Sequence, residues 1–310
     1  MPVTALAGRV QPLGRILVEP ADNLSPDLLG GGQPRFGHRP DGRFAAARHA
    51  KRPHTTHRRR RMGLLADRVA VVTGGGDIGA AVVSGLRQHG ADVALWDRQP
   101  QVLEGLPEGV AGRVVDVTSD SEVASATDAT IDAKGRIDVV VNTAGVLTSA
   151  SVAEMSTDKW NQTIEVNLSG VFRCCRAVVP HMIKRGSGSI INVSSTGGLH
   201  GAVDHGHYCA SKFGVIGLSE SLALEVGQHG VRVNCICPGA VSSEMNTAML
   251  TAMAASTGSS YEDFEESIIN KTALRRLVQP ADVANAAVFL ASDLSSCITG
   301  VALPVSGGLS

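Results

Sequence analysis

Short apolar runs alternate with helical stretches from Val69 to the end of the chain, and this alternation constrains the fold most strongly. Seven runs are rich in small aliphatic residues: 69–73, 93–97, 113–117, 137–141, 189–193, 231–236 and 300–304. Nearly continuous apolar strands separated by helices are typical of a parallel sheet covered on both faces. We therefore expect one α/β domain with a Rossmann-like, doubly wound parallel sheet of about seven strands.

The chain changes character at Met62. Residues 1–61 are rich in Pro, Gly, Arg and His and carry twelve Lys or Arg against four acidic residues. Such a segment buries too little apolar surface to offset its ordering entropy. We expect this segment to be disordered, or not to be part of the native chain. In the second case the native chain would begin at Met62. A binding arm for nucleic acid or an acidic partner, and a targeting peptide, are the alternatives.

Residues 62–310 should form the folded domain, and their composition excludes several classes of function. They carry sixteen basic and twenty-five acidic side chains, which disfavours a nucleic-acid-binding surface. No apolar run reaches the roughly 18 residues of a membrane span. The six cysteines show no C-x-x-C spacing, which favours reduced thiols in a cytoplasmic protein over a zinc site or disulfides.

A glycine-rich turn follows the first apolar run and precedes a helical stretch. Gly74, Gly76 and Gly79 stand in G-x-G-x-x-G register, with Asp77 and Ile78 before the last glycine. Glycines here let the backbone approach a pyrophosphate, whose charge meets the free N–H groups of the helix start. The context predicts a dinucleotide site, although the motif alone is also compatible with a loose turn.

Acidic residues after the next two runs indicate where the adenosine would lie. Asp97 ends the second run, where a carboxylate can accept from the ribose hydroxyls and repels a 2′-phosphate. Arg98 is the only basic residue nearby. Because the carboxylate of Asp97 repels the 2′-phosphate of NADP, we predict NAD in preference to NADP. Asp116 and Val117 are expected beside the adenine, with an ordinary turn acid as the alternative for Asp116.

Small residues close the fourth run, where Asn142, Ala144 and Gly145 suit a backbone pressed against a cofactor, or merely a tight strand exit.

Tyr208 and Lys212 lie four residues apart in a stretch of helical character, and residues at this spacing share one helix face. A nearby ammonium favours the phenolate, so Lys212 is predicted to lower the pKa of Tyr208 from its ordinary value near ~10. The pair is a candidate for proton transfer. Taken alone, it is more typical of a snorkelling lysine beside a half-buried tyrosine.

Taken together, these motifs resemble those of the short-chain dehydrogenase/reductase family over about residues 63–310. The match comprises the glycine turn, N-x-A-G at 142–145, a segment with an asparagine at Asn167, a serine pair ending at Ser195, Y-x-x-x-K, and the turn at Pro238 and Gly239. The resemblance implies a catalytic set of Asn167, Ser195, Tyr208 and Lys212.

The resemblance further implies an NAD-dependent enzyme that interconverts a secondary alcohol and a ketone by hydride transfer. Tyr208 would act as general acid and base, Ser195 would hold the substrate oxygen, and Asn167 would kink its helix and hold a water of a proton relay. A homotetramer or homodimer through the helices around residues 160–184 and 206–227 is expected on the same ground. The implied cofactor-binding residues are Gly74, Gly76, Asp77, Ile78, Gly79, Asp97, Asp116, Val117, Asn142, Ala144, Gly145, Tyr208, Lys212, Pro238, Gly239, Val241 and Ser243.

Three positions depart from the family pattern. The glycine loop is one residue shorter than T-G-x-x-x-G-x-G, which leaves Asp77 where a glycine is expected. Ser243 replaces a frequent Thr but keeps the hydroxyl, and Ser306 replaces an acid near the C-terminus.

Residues 240–275 are predicted to form a mobile lid rich in Met, Ala and Ser, which suits an uncharged small-molecule alcohol or ketone.

His205 and His207 lack a third ligand, and no metal is expected. Two other functions remain open: a 3-oxoacyl-thioester (acyl-carrier protein) reductase that uses NADPH, and a non-catalytic NAD-sensing protein.

Overall fold

The structure is a computed structural model that describes residues 63–309, apart from the side chain at position 256. All of these residues belong to one compact unit. The expectations for residues 1–61 and for Met62 lie outside the described residues.

Seven parallel strands form one sheet in the order β3-β2-β1-β4-β5-β6-β7. The strand order reverses direction between β1 and β4, which is the switch point where doubly wound sheets bind ligands. The predicted doubly wound fold is confirmed. The strands are β1 (Val69–Thr73), β2 (Asp92–Asp97), β3 (Ala111–Val114), β4 (Val139–Asn142), β5 (Gly188–Val193), β6 (Val231–Pro238) and β7 (Ala302–Val305).

Helices connect the strands and cover both faces of the sheet. One apolar cluster includes residues of α1 and α9, and the cluster on the opposite face includes residues of α3, α5 and α6. The helices are α1 (Asp77–Gln88), α2 (Pro100–Leu103), α3 (Asp120–Lys134), α4 (Thr157–Ile164), α5 (Gly170–Arg185), α6 (Gly206–Val226), α7 (Glu244–Thr257), α8 (Tyr261–Lys271) and α9 (Pro280–Ala291).

The third strand departs from its predicted range of 113–117. Its pairing with β2 begins at Ala111 and ends where Val114 meets Asp97, the last residue of β2. Because β3 is an edge strand with one partner, it cannot continue beyond the end of that partner. Val115, whose N–H donates to the carbonyl of Asp97 at 3.0 Å, and Val117 are nevertheless buried, and their apolar character reflects packing against the core.

The lid region forms two helices whose starts are fixed by serine caps. The hydroxyls of Ser243 and Ser260 accept the N–H groups of Asn246 and Asp263 in the first turns of α7 and α8. Such caps satisfy backbone donors that have no partner inside the helix. In the part of the chain that the structure describes, no helix is both long and apolar enough to cross a membrane.

Candidate active site

The carboxyl ends of four neighbouring strands carry most of the predicted site residues. The glycine loop follows β1, residues 143–145 follow β4, Ser195 follows β5 and Gly239 follows β6. Because β1, β4, β5 and β6 are adjacent and parallel, these segments meet at one edge of the sheet. The fold therefore assembles the site from segments up to 165 positions apart in the sequence, Gly74 to Gly239.

Two of the three motif glycines are required by close backbone packing. Gly74 has φ +82°, and a Cβ there would lie 2.7 Å from the Cα of Ala144. A Cβ at Gly79 would overlap the carbonyl oxygen of Gly74. Thr143 completes this packing, since its hydroxyl donates to the carbonyls of Thr73 and Gly74 at 2.6 and 2.9 Å.

The third glycine faces open space. No described atom lies within 4 Å of the Cβ position of Gly76, and no described side chain caps the N-terminus of α1 that follows it. An exposed glycine before an uncapped helix start is the arrangement that receives a pyrophosphate. The loop therefore fits the phosphates of a dinucleotide.

Asp97 holds the glycine loop in place. Its Oδ2 accepts the N–H of Gly75 at 2.7 Å and its Oδ1 accepts the N–H of Gln99 at 2.8 Å. The carboxylate is half-buried at the end of β2, beside the loop. The ribose contact stays a prediction, and the contact to Gly75 is a positioning role that sequence reasoning missed.

Asp116 forms a tight turn with Thr118, whose N–H and hydroxyl both donate to Oδ1, at 2.8 and 2.7 Å. Partial burial raises the pKa of Asp116, but these hydrogen bonds and the nearby cations of Arg98 and Arg173 outweigh it, so that the pKa is lowered. The carboxylate remains ionised. These contacts are those of an ordinary turn acid, which was the alternative interpretation of Asp116. The expected contact of Asp116 with adenine stays a prediction.

Asn142 lies in the core rather than at the surface of the cofactor groove. Its Nδ2 donates to Oδ1 of Asn192 at 2.8 Å, and Asn192 donates in turn to the hydroxyl of Ser219. These amides link β4, β5 and α6. Asn142 therefore supports the site through the backbone, whereas Gly145 lies in it: a Cβ there would be 3.3 Å from Oδ1 of Asn167 and 3.6 Å from Nζ of Lys212.

Tyr208 and Lys212 occupy successive turns of α6, as their spacing predicts. Nζ of Lys212 lies 5.7 Å from the centroid of the Tyr208 ring and donates to the carbonyl of Val193 at 3.0 Å. The lysine is 5% exposed, and burial lowers its pKa from 10.5 to about 8. The ammonium is thus anchored on β5 beside the phenol.

The predicted lowering of the Tyr208 pKa is wrong for this structure. Burial raises the pKa above its ordinary value of 10.0, a hydrogen bond with Ser195 opposes this, and the thiols of Cys209 and Cys237 raise it further. The physical reason is that removing the phenolate from water costs more than these contacts return. Tyr208 is therefore protonated at neutral pH.

Ser195 begins a short 3-10 turn, Thr196–Gly198, directly after β5. Its hydroxyl accepts the N–H of Gly197 at 3.0 Å, and this bond aims the side chain toward the phenol of Tyr208. The neighbouring Ser194 donates to the carbonyl of Lys212 at 2.9 Å, which ties the end of β5 to α6. Ser195, Tyr208 and Lys212 are brought together.

Asn167 sits in a π-helical turn, Glu165–Ser169, between α4 and α5. Its side chain accepts the N–H of Val146 at 2.8 Å and donates to the carbonyl of Val146 at 2.9 Å and to the hydroxyl of Ser211 at 3.2 Å. The widened turn agrees with the expected distortion, and such turns are frequent at functional sites. Asn167 fixes the loop after β4 against α6.

The segment after β6 positions the lid. Gly239 donates its N–H to the carbonyl of Val305 at 3.0 Å, and Val241 forms an isolated bridge with Val278. Pro238 ends β6 and Ser243 caps α7, as described above. The contacts of these residues within the protein are structural, and their predicted contacts with a cofactor are untested.

His207 contacts the loop after β4, and sequence reasoning did not predict this contact. It is fully buried, and its Nε2 lies 2.7 Å from the hydroxyl of Thr148 on the loop after β4. Burial lowers its pKa, as do the charges of His205 and Lys159. The loop is thus held at one end by Asn167 and at the other by a neutral imidazole next to Tyr208.

Among residues 63–309, no group of three or more His, Cys, Asp or Glu side chains is arranged to hold a metal ion.

Comparisons with known proteins agree with this geometry. A family model described as enoyl-(acyl carrier protein) reductase matches residues 75–310. The 3-oxoacyl-(acyl-carrier-protein) reductase of Chlamydia trachomatis is 36% identical over 80% of this chain and 99% of the relative. D-threitol dehydrogenase of Mycolicibacterium smegmatis is 38% identical over 79% of this chain and 93% of the relative. The crystal structure of NAD⁺-bound xylitol dehydrogenase matches with a TM-score of 0.76 and 30% identity, over 79% of this chain and 99% of that structure.

Proposed function

The chain belongs to the short-chain dehydrogenase/reductase family, whose members are oxidoreductases acting on CH–OH groups, and we propose that it interconverts a secondary alcohol and a ketone with NAD as cofactor. A nicotinamide cofactor, when bound, supplies or accepts the hydride. The observation that carries the proposal is the convergence of Ser195, Tyr208 and Lys212 beside a glycine loop that fits a pyrophosphate.

Tyr208 is the general acid and base of this proposal. Its raised pKa keeps the phenol protonated at neutral pH, which is the form that donates to a carbonyl oxygen during reduction. Ser195 donates to the same oxygen and stabilises the charge that develops on it. Lys212, with a pKa of about 8, is largely charged at pH 7 and holds a positive field beside the phenol.

A preference for NAD over NADP is proposed from Asp97. A 2′-phosphate would meet a carboxylate that is already fixed by the N–H groups of Gly75 and Gln99 and cannot turn away without losing them. Asp97→Asn keeps an oxygen acceptor for Gly75 but removes the charge. We expect the ratio of kcat/KM for NADH over NADPH to fall about tenfold, or ~1.4 kcal/mol.

The substrate is proposed to be an uncharged secondary alcohol or its ketone. Leu250 of α7 is buried, while Met249 is half-buried and Met245 is 49% exposed, so the lid presents apolar side chains. Its second helix, α8, carries four acidic residues at positions 262, 263, 265 and 266. An acidic lid is poorly suited to an anionic substrate or an acidic carrier protein.

A 3-oxoacyl-thioester reductase that uses NADPH is the second candidate, since one of the relatives reported above carries that activity in its name. It requires a cationic docking face. Arg276 is already paired with Asp282 in two contacts of 2.6 and 3.1 Å, which leaves Lys271 and Arg275 as cations near the lid. This pairing disfavours the second candidate.

A substrate screen separates the two candidates. The full-length chain should oxidise members of a panel of polyols and cyclic secondary alcohols with NAD⁺, followed by nicotinamide absorbance, and should reduce acetoacetyl thioesters with NADPH more slowly. The opposite ranking would establish the second candidate.

A tyrosine variant tests the mechanism. Tyr208→Phe should lower kcat/KM by about 10²- to 10⁴-fold, far more than it changes the NADH dissociation constant, because the proton donor is lost while the aromatic ring stays. The matched control is Tyr261→Phe, which removes the hydroxyl of the chain's other tyrosine; that hydroxyl donates to Glu265 on the same helix at 2.6 Å. Unchanged turnover in Tyr208→Phe would leave the mechanism without support.

The assembly is proposed to be a homotetramer or homodimer through α4, α5 and α6. Exposed aromatic side chains lie on all three helices: Trp160 is 42% exposed, Phe172 43% and Phe213 47%. Light scattering that gives a monomer mass would contradict this.

A cytoplasmic location is proposed because five cysteines are buried as free thiols in the described chain.

A further inference from the structure

The first residue of α1, Asp77, bridges two helix starts. Its Oδ2 accepts the N–H of Glu244, the first residue of α7, at 2.8 Å. Asp77 itself is exposed and follows Gly76, beside the open space described above. The side chain therefore spans from the glycine loop to the lid, at the position where the family pattern expects a glycine.

Both helix starts attract anions. A helix N-terminus carries roughly half a positive charge, and its unpaired N–H groups are donors for phosphate oxygens. The carboxylate of Asp77 already satisfies one of these donors on α7. A dinucleotide bound at the glycine loop would bring its two phosphate charges to the start of α1, where this carboxylate lies.

We propose that Asp77 is an affinity-determining residue that weakens dinucleotide binding, because its carboxylate occupies a helix-start donor and repels the pyrophosphate. This inference rests on the proposed dinucleotide site and identifies the residue that sets its strength. Two unit charges about 4 Å apart in water interact by about 1 kcal/mol, which corresponds to a three- to tenfold effect on the dissociation constant.

The alternative role of Asp77 is purely structural, as an acid that stabilises the starts of α1 and α7. The two roles predict different effects of removing the Asp77 carboxylate on dinucleotide binding. Removing a structural contact lowers the melting temperature and leaves binding equal or weaker. Removing a competing charge lowers the melting temperature of the free protein but tightens binding.

The test compares full-length wild type with Asp77→Asn and Asp77→Ser. Dissociation constants are measured for NADH by nicotinamide fluorescence, and for ADP-ribose and adenosine by calorimetry, at low salt and at about 0.3 M salt. Asp67→Asn is the control, since it removes the same charge from an exposed residue at the opposite end of β1 and keeps a side chain that tolerates its φ of 62°.

We expect both Asp77 variants to bind NADH and ADP-ribose about three- to tenfold more tightly than wild type at low salt, with the gain reduced at high salt by screening. Adenosine, which has no phosphate, should bind all proteins equally, and Asp67→Asn should match wild type. If wild type binds NADH but the Asp77 variants bind it equally or more weakly, the inference is wrong and the proposed function stands. If none of the proteins binds NADH or ADP-ribose, both are wrong.

Discussion

Lys212 should make the stability of this protein depend on pH in a direction that is unusual for a lysine with a hydrogen-bond partner. Burial lowers its pKa from 10.5 to about 8. Between these values the unfolded chain still holds the proton while the folded protein has released it. Stability from this group therefore rises as pH increases through 8, and the gain is complete above 10.5.

The size of the effect follows from the two pKa values. A tenfold change in a proton-binding constant corresponds to ~1.4 kcal/mol, so the gain between about pH 7 and about pH 9.5 amounts to ~2 kcal/mol. Because the residue is 5% exposed, solvent screening reduces this value little. In the folded protein Tyr208 stays largely protonated across this window, because burial raises its pKa above 10.0.

The assay is urea unfolding of wild type and Lys212→Met at about pH 7, 8 and 9.5, at one protein concentration. Contributions from Cys174 and Cys175 cancel in the difference between the two proteins, because Lys212 does not influence the pKa of either thiol. The free energy of unfolding of wild type should rise relative to the variant by ~2 kcal/mol across this range. Lys271→Met, at an exposed position of α8, is the control and should run parallel to wild type. Parallel profiles for Lys212→Met and wild type would refute the reasoning that burial sets this pKa.

Two glycine substitutions and one histidine substitution test the remaining structural claims. Gly79→Ala should destabilise the fold by about 1–3 kcal/mol, because its Cβ would overlap the carbonyl of Gly74, as measured by urea unfolding. Gly76→Ala, where the Cβ meets nothing within 4 Å, should leave stability within ~0.5 kcal/mol but weaken NADH binding; equal loss of stability in both would contradict the packing account. His207→Gln keeps a hydrogen-bond donor and acceptor for Thr148 but replaces the titratable imidazole with an amide that does not titrate. Because burial lowers the pKa of His207, wild type should lose stability as pH falls below 6.5, and the variant should show a shallower loss; identical profiles would exclude the buried neutral imidazole.

The motifs predicted which side chains the fold brings together beside the glycine loop, because these residues lie in short, contiguous segments of the sequence. Gly74 and Gly79 are needed wherever the chain makes this turn, and Tyr208 and Lys212 share a face of any helix that contains both. The resemblance could not predict the contact that Asp77 of the shortened loop makes with Glu244, because this contact joins positions 167 residues apart in the sequence.

The sequence by itself determined the order of strands and helices, the doubly wound sheet and the residues gathered at its edge, because hydrophobic period and turn chemistry are local properties. Only the tertiary structure decided where β3 ends, which depends on the length of its partner β2. Tertiary structure also decided the pKa values: the same tyrosine and lysine would interact as predicted in water, but burial desolvates both and raises the pKa of Tyr208. Desolvation is a property of everything packed around a residue, and no spacing along the chain encodes it.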